Sequence, residues 1–300
     1  MLDVKRLRLL VELSRRGTIA AVAQALRYSP SAVSQQLSVL EKEAGSVLLE
    51  PIGRRVRLTA QGELLVAHAQ RVLLELEQAS AALEAASRSV AGTVRVAAFQ
   101  SAVLTLVPHA AASFRARHEG LRLEVTEMEP EQALPALAVG DFDVVLAEEY
   151  PFRPQPRLPG IAREDLMVDD LELVVPDAWG PCSLGSLASA SFAMEPVGTA
   201  AREWAESMCR QAGFEPDVTY TSSDLQIHLR MVESSLAAAL LPRLAGAAAR
   251  REVRVCPLPG NPARTVFAAT RRGGAARPTL AAVIAAFRAV PPVQDALESR

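Results

Sequence analysis

The sequence predicts an α/β protein in three successive parts: an all-helical N-terminal unit closed by a short hairpin, a single long helix, and a C-terminal domain of two α/β lobes. Three observations predict this. Residues 4–42 contain three short runs whose apolar residues recur at spacings of three and four. Residues 60–90 carry an unbroken apolar repeat in steps of four and three, without proline. Beyond Gly92, short β-type runs alternate with segments of helix length.

In the first helix Val4, Leu7, Leu10 and Val11 face inward, and Gly17 follows Arg15 and Arg16 as the stop signal. The second starts at a Thr18 cap and runs through Ile19, Val22, Ala23 and Leu26. After the turn Leu26-Arg27-Tyr28-Ser29-Pro30 comes a third helix. Ser29 caps it, Pro30 takes its first position, and Val33, Leu37 and Leu40 form its buried side. Its other face is Ser31, Ser34, Gln35, Ser38 and Lys42, with no carboxylate until Glu41 and Glu43 near its end. Short donors and acceptors of this kind reach base edges in a DNA major groove without repelling phosphate. A plain helical hairpin, the structural alternative, exposes mixed long charges instead. Three helices with this turn predict a helix-turn-helix.

Charge follows the same division. Residues 1–60 hold ten Lys or Arg against five Asp or Glu, whereas the remaining 240 hold 22 against 29. The basic part is the part with the groove-facing helix, as phosphate binding requires. Arg54 and Arg55, with Gly53 between Val47-Leu48-Leu49 and Val56-Arg57-Leu58, predict a hairpin wing whose tip reaches the DNA backbone or minor groove. The alternative is a solvated basic turn.

The long helix, residues 60–90, spans about 45 Å at ~1.5 Å per residue. Its seam is Leu65, Ala69, Val72, Leu76, Ala79, Leu83, Ala86 and Val90. With no second apolar stripe, pairing with its twin in a homodimer is expected, which would match two DNA half-sites. Packing against its own C-terminal domain is the alternative. The strands expected beyond it are Val94 to Ala98, Leu121 to Val125, Phe142 to Ala147, Leu171 to Val175, Phe192 to Met194, Val218 to Thr221, Leu236 to Leu241, Val253 to Leu258 and Arg264 to Thr270. Helices are expected over Thr199 to Ala212, from Asp224, and over Pro278 to Ala289. Strands alternating with helices imply parallel layers and two lobes with a cleft between them.

Other chemistry is sparse. Cys182, Cys209 and Cys256 lie far apart without a C-x-x-C pair, so neither a disulfide framework nor a zinc site is expected. The four histidines show no metal-ligand spacing, and no nucleophile elbow, phosphate loop or dinucleotide fingerprint occurs. Glu148 and Glu149 are neighbours on a strand and point to opposite faces, so they cannot form one catalytic pair. An α/β enzyme is therefore the remote alternative, with no catalytic residue, metal or cofactor expected. No run reaches the ~18 apolar residues of a membrane span. Asp3, Lys5, Arg6 and Arg8 interrupt the N-terminus where a signal peptide needs an uncharged core, so a cytoplasmic protein is expected.

Over essentially its full length the chain resembles the LysR-type transcriptional regulators. The resemblance rests on Ala32-Val33-Ser34-Gln35-Gln36-Leu37, Leu40-Glu41-Lys42-Glu43-Ala44-Gly45 and Leu58-Thr59-Ala60-Gln61-Gly62, with weaker echoes at Gly92-Thr93-Val94-Arg95-Val96, Gly140-Asp141-Phe142-Asp143 and Ala239-Leu240-Leu241-Pro242. It implies a winged helix-turn-helix over residues 1–59, a dimerising linker helix over 60–90, and an effector-binding domain over 91–300. That domain would have two periplasmic-binding-protein-like lobes, one of about 91–162 and 266–300, the other of about 163–265. It also implies double-stranded DNA and a small-molecule effector as partners, with assembly extending to a homotetramer. The chain departs from the family at Pro30-Ser31, Gln35, Pro51 and Leu236.

By that resemblance the effector cleft is lined by Phe99-Gln100-Ser101-Ala102 and Val197-Gly198-Thr199, with Glu148 and Ser222-Ser223-Asp224 as secondary candidates. Hydroxyls and N–H groups at two opposed helix starts suit an anionic ligand. Glu148 would add an ammonium partner, making a zwitterion such as an amino acid fit. Capping alone also explains Ser222 and Asp224, and an ordinary salt bridge explains Arg202. A DNA-binding architectural protein that does not respond to a ligand is the other functional alternative.

Overall fold

The computed structural model describes residues 1–26, 28–53, 55–87, 90–274 and 276–290. Helix α1 (Val4–Arg16) starts where the Asp3 carboxylate accepts the N–H groups of Lys5 and Arg6 at 2.9 and 3.1 Å. It stops at Gly17, whose positive φ of 73° lets its N–H reach the Leu13 carbonyl. Helix α2 (Ile19–Leu26) has its cap at Thr18, whose hydroxyl accepts the Ala21 N–H at 3.1 Å. Ser29 does the same for Ala32 at the head of α3 (Pro30–Ala44). Leu10, Val22, Val33, Leu37, Leu40 and Leu48 close one core among the three helices. Strands β1 (Leu49–Ile52) and β2 (Arg55–Leu58) then form the antiparallel wing, with Ile52 opposite Arg55.

The long helix α4 (Ala60–Ser87) has 28 residues, about 42 Å. Its first turns complete the helix-turn-helix core with Val66 and Ala69. Two residues of the expected seam, Leu65 and Ala69, are taken up by that core, and further along the helix divides into an exposed side and a side that meets the C-terminal domain. Val72, Leu76 and Leu83 remain exposed, Leu83 by 75%. The other side lies on the C-terminal domain, where Glu77 accepts Arg271 at 2.7 Å and Glu84 accepts Arg277 and Thr279, each at 2.6 Å. That second side mixes carboxylates with the partly exposed Leu74 and the small Ala81, so apolar periodicity did not reveal it. Pairing with a twin and packing on the chain's own domain are thus compatible, because they use different faces.

The first lobe is built on β3 (Gly92–Ala98), α5 (Gln100–Arg117), β4 (Leu121–Glu127), α6 (Pro130–Val139) and β5 (Val144–Glu149). The strands run parallel in the order β4, β3, β5. Then comes β6 (Ile161–Pro176), which belongs to both lobes. The second lobe adds β7 (Ser191–Met194), α7 (Ala200–Gln211), β8 (Asp217–Thr221), α8 (Leu225–Glu233), β9 (Ala238–Pro242) and β10 (Val253–Cys256). Finally β11 (Ala263–Arg271) and α9 (Pro278–Arg288) return to the first.

The structure corrects the sequence reading at two points. The layers are mixed, since β11 lies antiparallel between β5 and β6, and β9 antiparallel to β6. The strand read as Leu171 to Val175 is the second half of a 16-residue strand. Its first half, Ile161 to Asp170, pairs with β11, and its second half, Leu171 to Val174, pairs with β9, so one strand runs through both sets of partners and Arg264 faces Asp169 across the first half. Polar residues crowd that half, Ile161-Ala162-Arg163-Glu164-Asp165, which hid it. Cys182 and Cys256, 74 positions apart, bring their sulfurs to 3.8 Å as free thiols, a proximity their sequence spacing conceals.

Gly62 is where linker and wing touch. A Cβ there would lie inside contact distance of the Leu48 carbonyl oxygen and 3.1 Å from Leu58 Cδ2. In an open helix, glycine to alanine gains about 1 kcal/mol. Here the expected sign is reversed: Gly62→Ala destabilises by about 1–3 kcal/mol through overpacking, measured by urea denaturation.

Candidate functional site

On α3 the residues Ser31, Ser34, Gln35, Ser38 and Lys42 are all exposed on one side, with Ser29 and Pro30 exposed at its start. The two nearby carboxylates are withdrawn from that side. Glu41 accepts the N–H groups of Leu48 and Leu49 at 2.9 and 3.1 Å, and Glu43 accepts Arg6 at 2.6 Å. Gln36 is also held, by Arg6 Nε at 3.0 Å. What faces outward is a strip of short hydrogen-bonding groups without negative charge. In the wing, Arg57 donates to Glu50 at 2.8 Å, which neutralises it, and Arg54 lies outside the described residues.

The cleft forms where both sets of parallel strands present their C-terminal ends, the position at which open α/β sheets bind ligands. Two contacts tie its walls. Gln100 donates to Asp224 at 2.7 Å and accepts the Leu225 N–H at 2.8 Å. On the other side Tyr150 packs against Trp204 with ring centroids 5.8 Å apart, and Arg153 pairs with Glu203 at 3.3 Å.

Between these contacts sits Arg264, 2% exposed. Its Nε donates to Asp169 at 2.9 Å, Nη1 to Glu148 and to the Tyr150 hydroxyl at 3.3 Å, and Nη2 to the Ser101 hydroxyl at 2.7 Å, with Nη2 also 2.8 Å from the Asp169 carboxylate as an ion pair. A guanidinium has five N–H donors, and four of them make hydrogen bonds here. Phe99 covers it, 4.9 Å from its ring centroid.

The surrounding carboxylates are under strain of charge. Burial, opposed by Arg264 and reinforced by Glu129 and Asp169, pushes the Glu148 carboxyl up to about 7. Burial and the repulsion of Glu131 and Glu127 raise Glu129 to about 7. Glu195, which follows β7, is pushed up to about 8 by desolvation and by Glu148 and Glu129. Asp169 is raised by burial against the pull of Arg264. Glu149 leaves the strand on the other side, toward Arg163 at 2.6 Å and the Gln155 N–H at 3.0 Å.

The sequence-derived cleft residues divide accordingly. Phe99, Ser101 and Ala102 are buried, and the Ser101 hydroxyl that was to meet a carboxylate meets Arg264 instead. Gln100 and Asp224 converge, but on each other. Ser222 accepts the Asp224 N–H at 3.0 Å and Thr199 caps α7 through the Arg202 N–H at 3.2 Å, both capping roles. Val197 and Gly198 stand exposed at the rim. Arg202 pairs with Glu206 at 2.6 Å. Sequence reasoning missed Arg264, Asp169, Tyr150, Glu129 and Glu195. A signal existed for the last two: glutamate occupies or closely follows the exits of β4, β5 and β7.

Removing the guanidinium strands Glu148 and Asp169 without compensation. Arg264→Met is expected to cost about 3–5 kcal/mol at pH 8. Both carboxyl pKa values then rise further, so the native state holds their protons more tightly than the unfolded chain and stability recovers as pH falls. Urea unfolding at pH 8 and pH 5.5 checks this. An equal loss at both values would contradict the assignment.

Comparison with known proteins agrees with this architecture. Residues 4–63 match the model of the bacterial regulatory helix-turn-helix protein, lysR family, and residues 87–291 match the LysR substrate binding domain. The chain is 28% identical over 299 residues to the probable HTH-type transcriptional regulator LrrA of Synechococcus elongatus, covering 97% of this chain and 98% of the relative. It is 23% identical to the regulator TcbR of a Pseudomonas species, over 93% and 96% of the two chains. Among solved structures, a full-length OxyR variant from Pseudomonas aeruginosa aligns with a TM-score of 0.66 at 21% identity, over 97% and 96% of the chains. CbnR in complex with its target DNA aligns with a TM-score of 0.54 at 22% identity, over 96% and 99%. The chain belongs to the LysR family of DNA-binding transcriptional regulators with an effector-binding domain.

Proposed function

We propose that the exposed strip of α3 enters the DNA major groove. Ser31, Ser34, Gln35 and Ser38 read base edges, Ser29, Pro30 and Lys42 lie against the flanking backbone, and Arg54 and Arg55 reach the backbone or minor groove from the wing. The observation that carries this reading is the withdrawal of Glu41 and Glu43 into internal bonds, which leaves the strip free of negative charge. Two such units are joined through the exposed seam of α4, and the effector domains extend the assembly to a tetramer. A small molecule in the cleft alters how the dimer spaces its DNA-binding units. The protein works in the cytoplasm as a regulator and not as an enzyme, a reading supported by the opposed directions of Glu148 and Glu149.

Gln35→Ala is expected to cost about 1–3 kcal/mol at the preferred site and to relax preference at one base pair. Replacing Arg54 or Arg55 by alanine weakens all sequences alike and flattens the salt dependence. Footprinting and titration against random duplexes separate the two, and no sequence preference in the parent protein would refute the reading. Leu76→Asp places a charge in the seam where Leu76 is 44% exposed in the single chain. Sedimentation is expected to show loss of the dimer, and an unchanged oligomer would remove α4 from the interface.

A further inference from the structure

A second concavity lies outside the cleft, where the helix-turn-helix, the linker helix and the first lobe meet. Its volume is about 430 Å³, within the range of small-molecule sites. The charged part of its wall is Arg8 and Arg15 from α1, Arg71 from α4, and Arg271 and Arg272 at the end of β11, against two carboxylates, Glu12 and Glu77. Positive charge is in excess. Apolar side chains, among them Val11, Leu73 and Ile161, complete the wall, and no residue of the base-facing strip on α3 takes part in it.

Both carboxylates are already spent. Glu12 is 2% exposed and accepts Arg15 and Arg16, each at 2.9 Å. Glu77 accepts Arg271 at 2.7 Å and approaches Arg8 at 3.8 Å. Three guanidiniums keep donors that they do not take up. Arg15 donates through Nη1 to Glu12 and through Nη2 to the Pro159 carbonyl, which ties α1 to the first lobe, yet its buried Nε makes no hydrogen bond among the described residues. Arg71 meets the His68 ring at 3.1 Å, and Arg272 engages Gly160 through its backbone N–H at 2.8 Å. Neither has an ion pair among the described residues.

Two exposed arginines alone would be ordinary solvated surface. The Nε of Arg15 differs, because an enclosed donor without an acceptor is costly. Arg8 registers the same excess: burial and the neighbouring Arg271 hold its guanidinium below the ordinary range, against the pull of Glu77. An anion in the cavity would answer all of these groups at once.

We propose that this cavity binds a small organic anion, a dicarboxylate or phosphate ester with an apolar body, held by Arg15 of the helix-turn-helix, Arg71 of the linker and Arg272 of the effector domain. Guanidiniums match the paired oxygens of either group, and the apolar wall takes the rest of the molecule. Each cation comes from a different part of the chain. The ligand therefore recognises their assembled arrangement and fixes the seat of α1 and α4 on the first lobe. The site lies at the opposite end of β11 from Arg264, so it is separate from the cleft and does not rest on the effector reading above.

The test uses the DNA-free full chain, with phthalate and phenyl phosphate as anionic probes and benzylamine as the cationic control, in thermal shift and calorimetry. At least one anion is expected to raise Tm, with an affinity that falls as salt rises. A response to phthalate alone assigns a carboxylate ligand, and a response to phenyl phosphate alone a phosphate ester. Arg71→Gln and Arg272→Gln are each expected to weaken binding by at least about tenfold. Both side chains are exposed, so the ligand-free Tm and the sedimentation of the parent are expected to be kept. The proposal is overturned if neither anion raises Tm, or if either variant binds the anion unchanged, which would place it in the cleft or on the DNA-facing strip. An equal shift with benzylamine would overturn the anionic class.

Discussion

The guanidinium of Arg264 is the point at which the C-terminal domain is held together. It arrives on β11 and gathers the start of α5 through Ser101, the end of β5 and the residue after it through Glu148 and Tyr150, and the middle of β6 through Asp169. Taking a guanidinium and two carboxylates out of water costs several kcal/mol per ion before their attraction is counted, so such a network is poor evidence of net stability. Its effect is geometric. Four chain segments distant in sequence must meet at one planar group with fixed donor directions, which sets how the strand ends of the first lobe face the second.

That arrangement also decides the polarity of the cleft. Helix starts are ordinarily read as sites for anions, because their free N–H groups carry partial positive charge. Here that charge is already answered from within the protein. Asp224 caps α8 and accepts Gln100, and Thr199 caps α7. Glu129 stands directly before α6. The groups that stand at the strand exits are carboxyls, and burial raises those of Glu129, Glu148 and Glu195. Helix starts and acidic residues are both visible in the sequence, but which of them remains unspent depends on tertiary pairing.

Legibility in the sequence follows the range of the interaction. The caps at Thr18, Ser29 and Gly17 and the strip on α3 depend on residues three to seven apart, and each stands in the structure where periodicity put it. The wing and long linker were readable for the same reason. What was not readable joins distant positions: Arg264 meets partners 95, 116 and 163 residues away. The first half of β6 was hidden by its polar residues, which a strand tolerates when one face is exposed. The second face of α4 was hidden because its charged contacts, Glu77 to Arg271 and Glu84 to Arg277, reach partners 194 and 193 residues away.

Strand β11 connects these features. Arg264 is near its start and Arg271 at its end, seven residues apart, about 23 Å at strand rise. Arg271 donates to Glu77 of the linker helix and to the carbonyls of Leu137 and Phe142, and approaches Asp143 at 3.5 Å. One continuous strand, flanked on both sides by β5 and β6, therefore carries the cleft's only buried cation among the described residues at one end and the seat of the linker at the other. The two ends differ in strength. At the cleft the ion pairs are buried, whereas at the linker they lie nearer solvent, and a cavity of about 430 Å³ remains among Arg8, Arg15, Glu77 and Arg271. Partly solvated ion pairs contribute little each and are exchanged at small cost. The strand thereby places the cleft's buried network and the linker's ion pairs on one rigid element, seven residues apart.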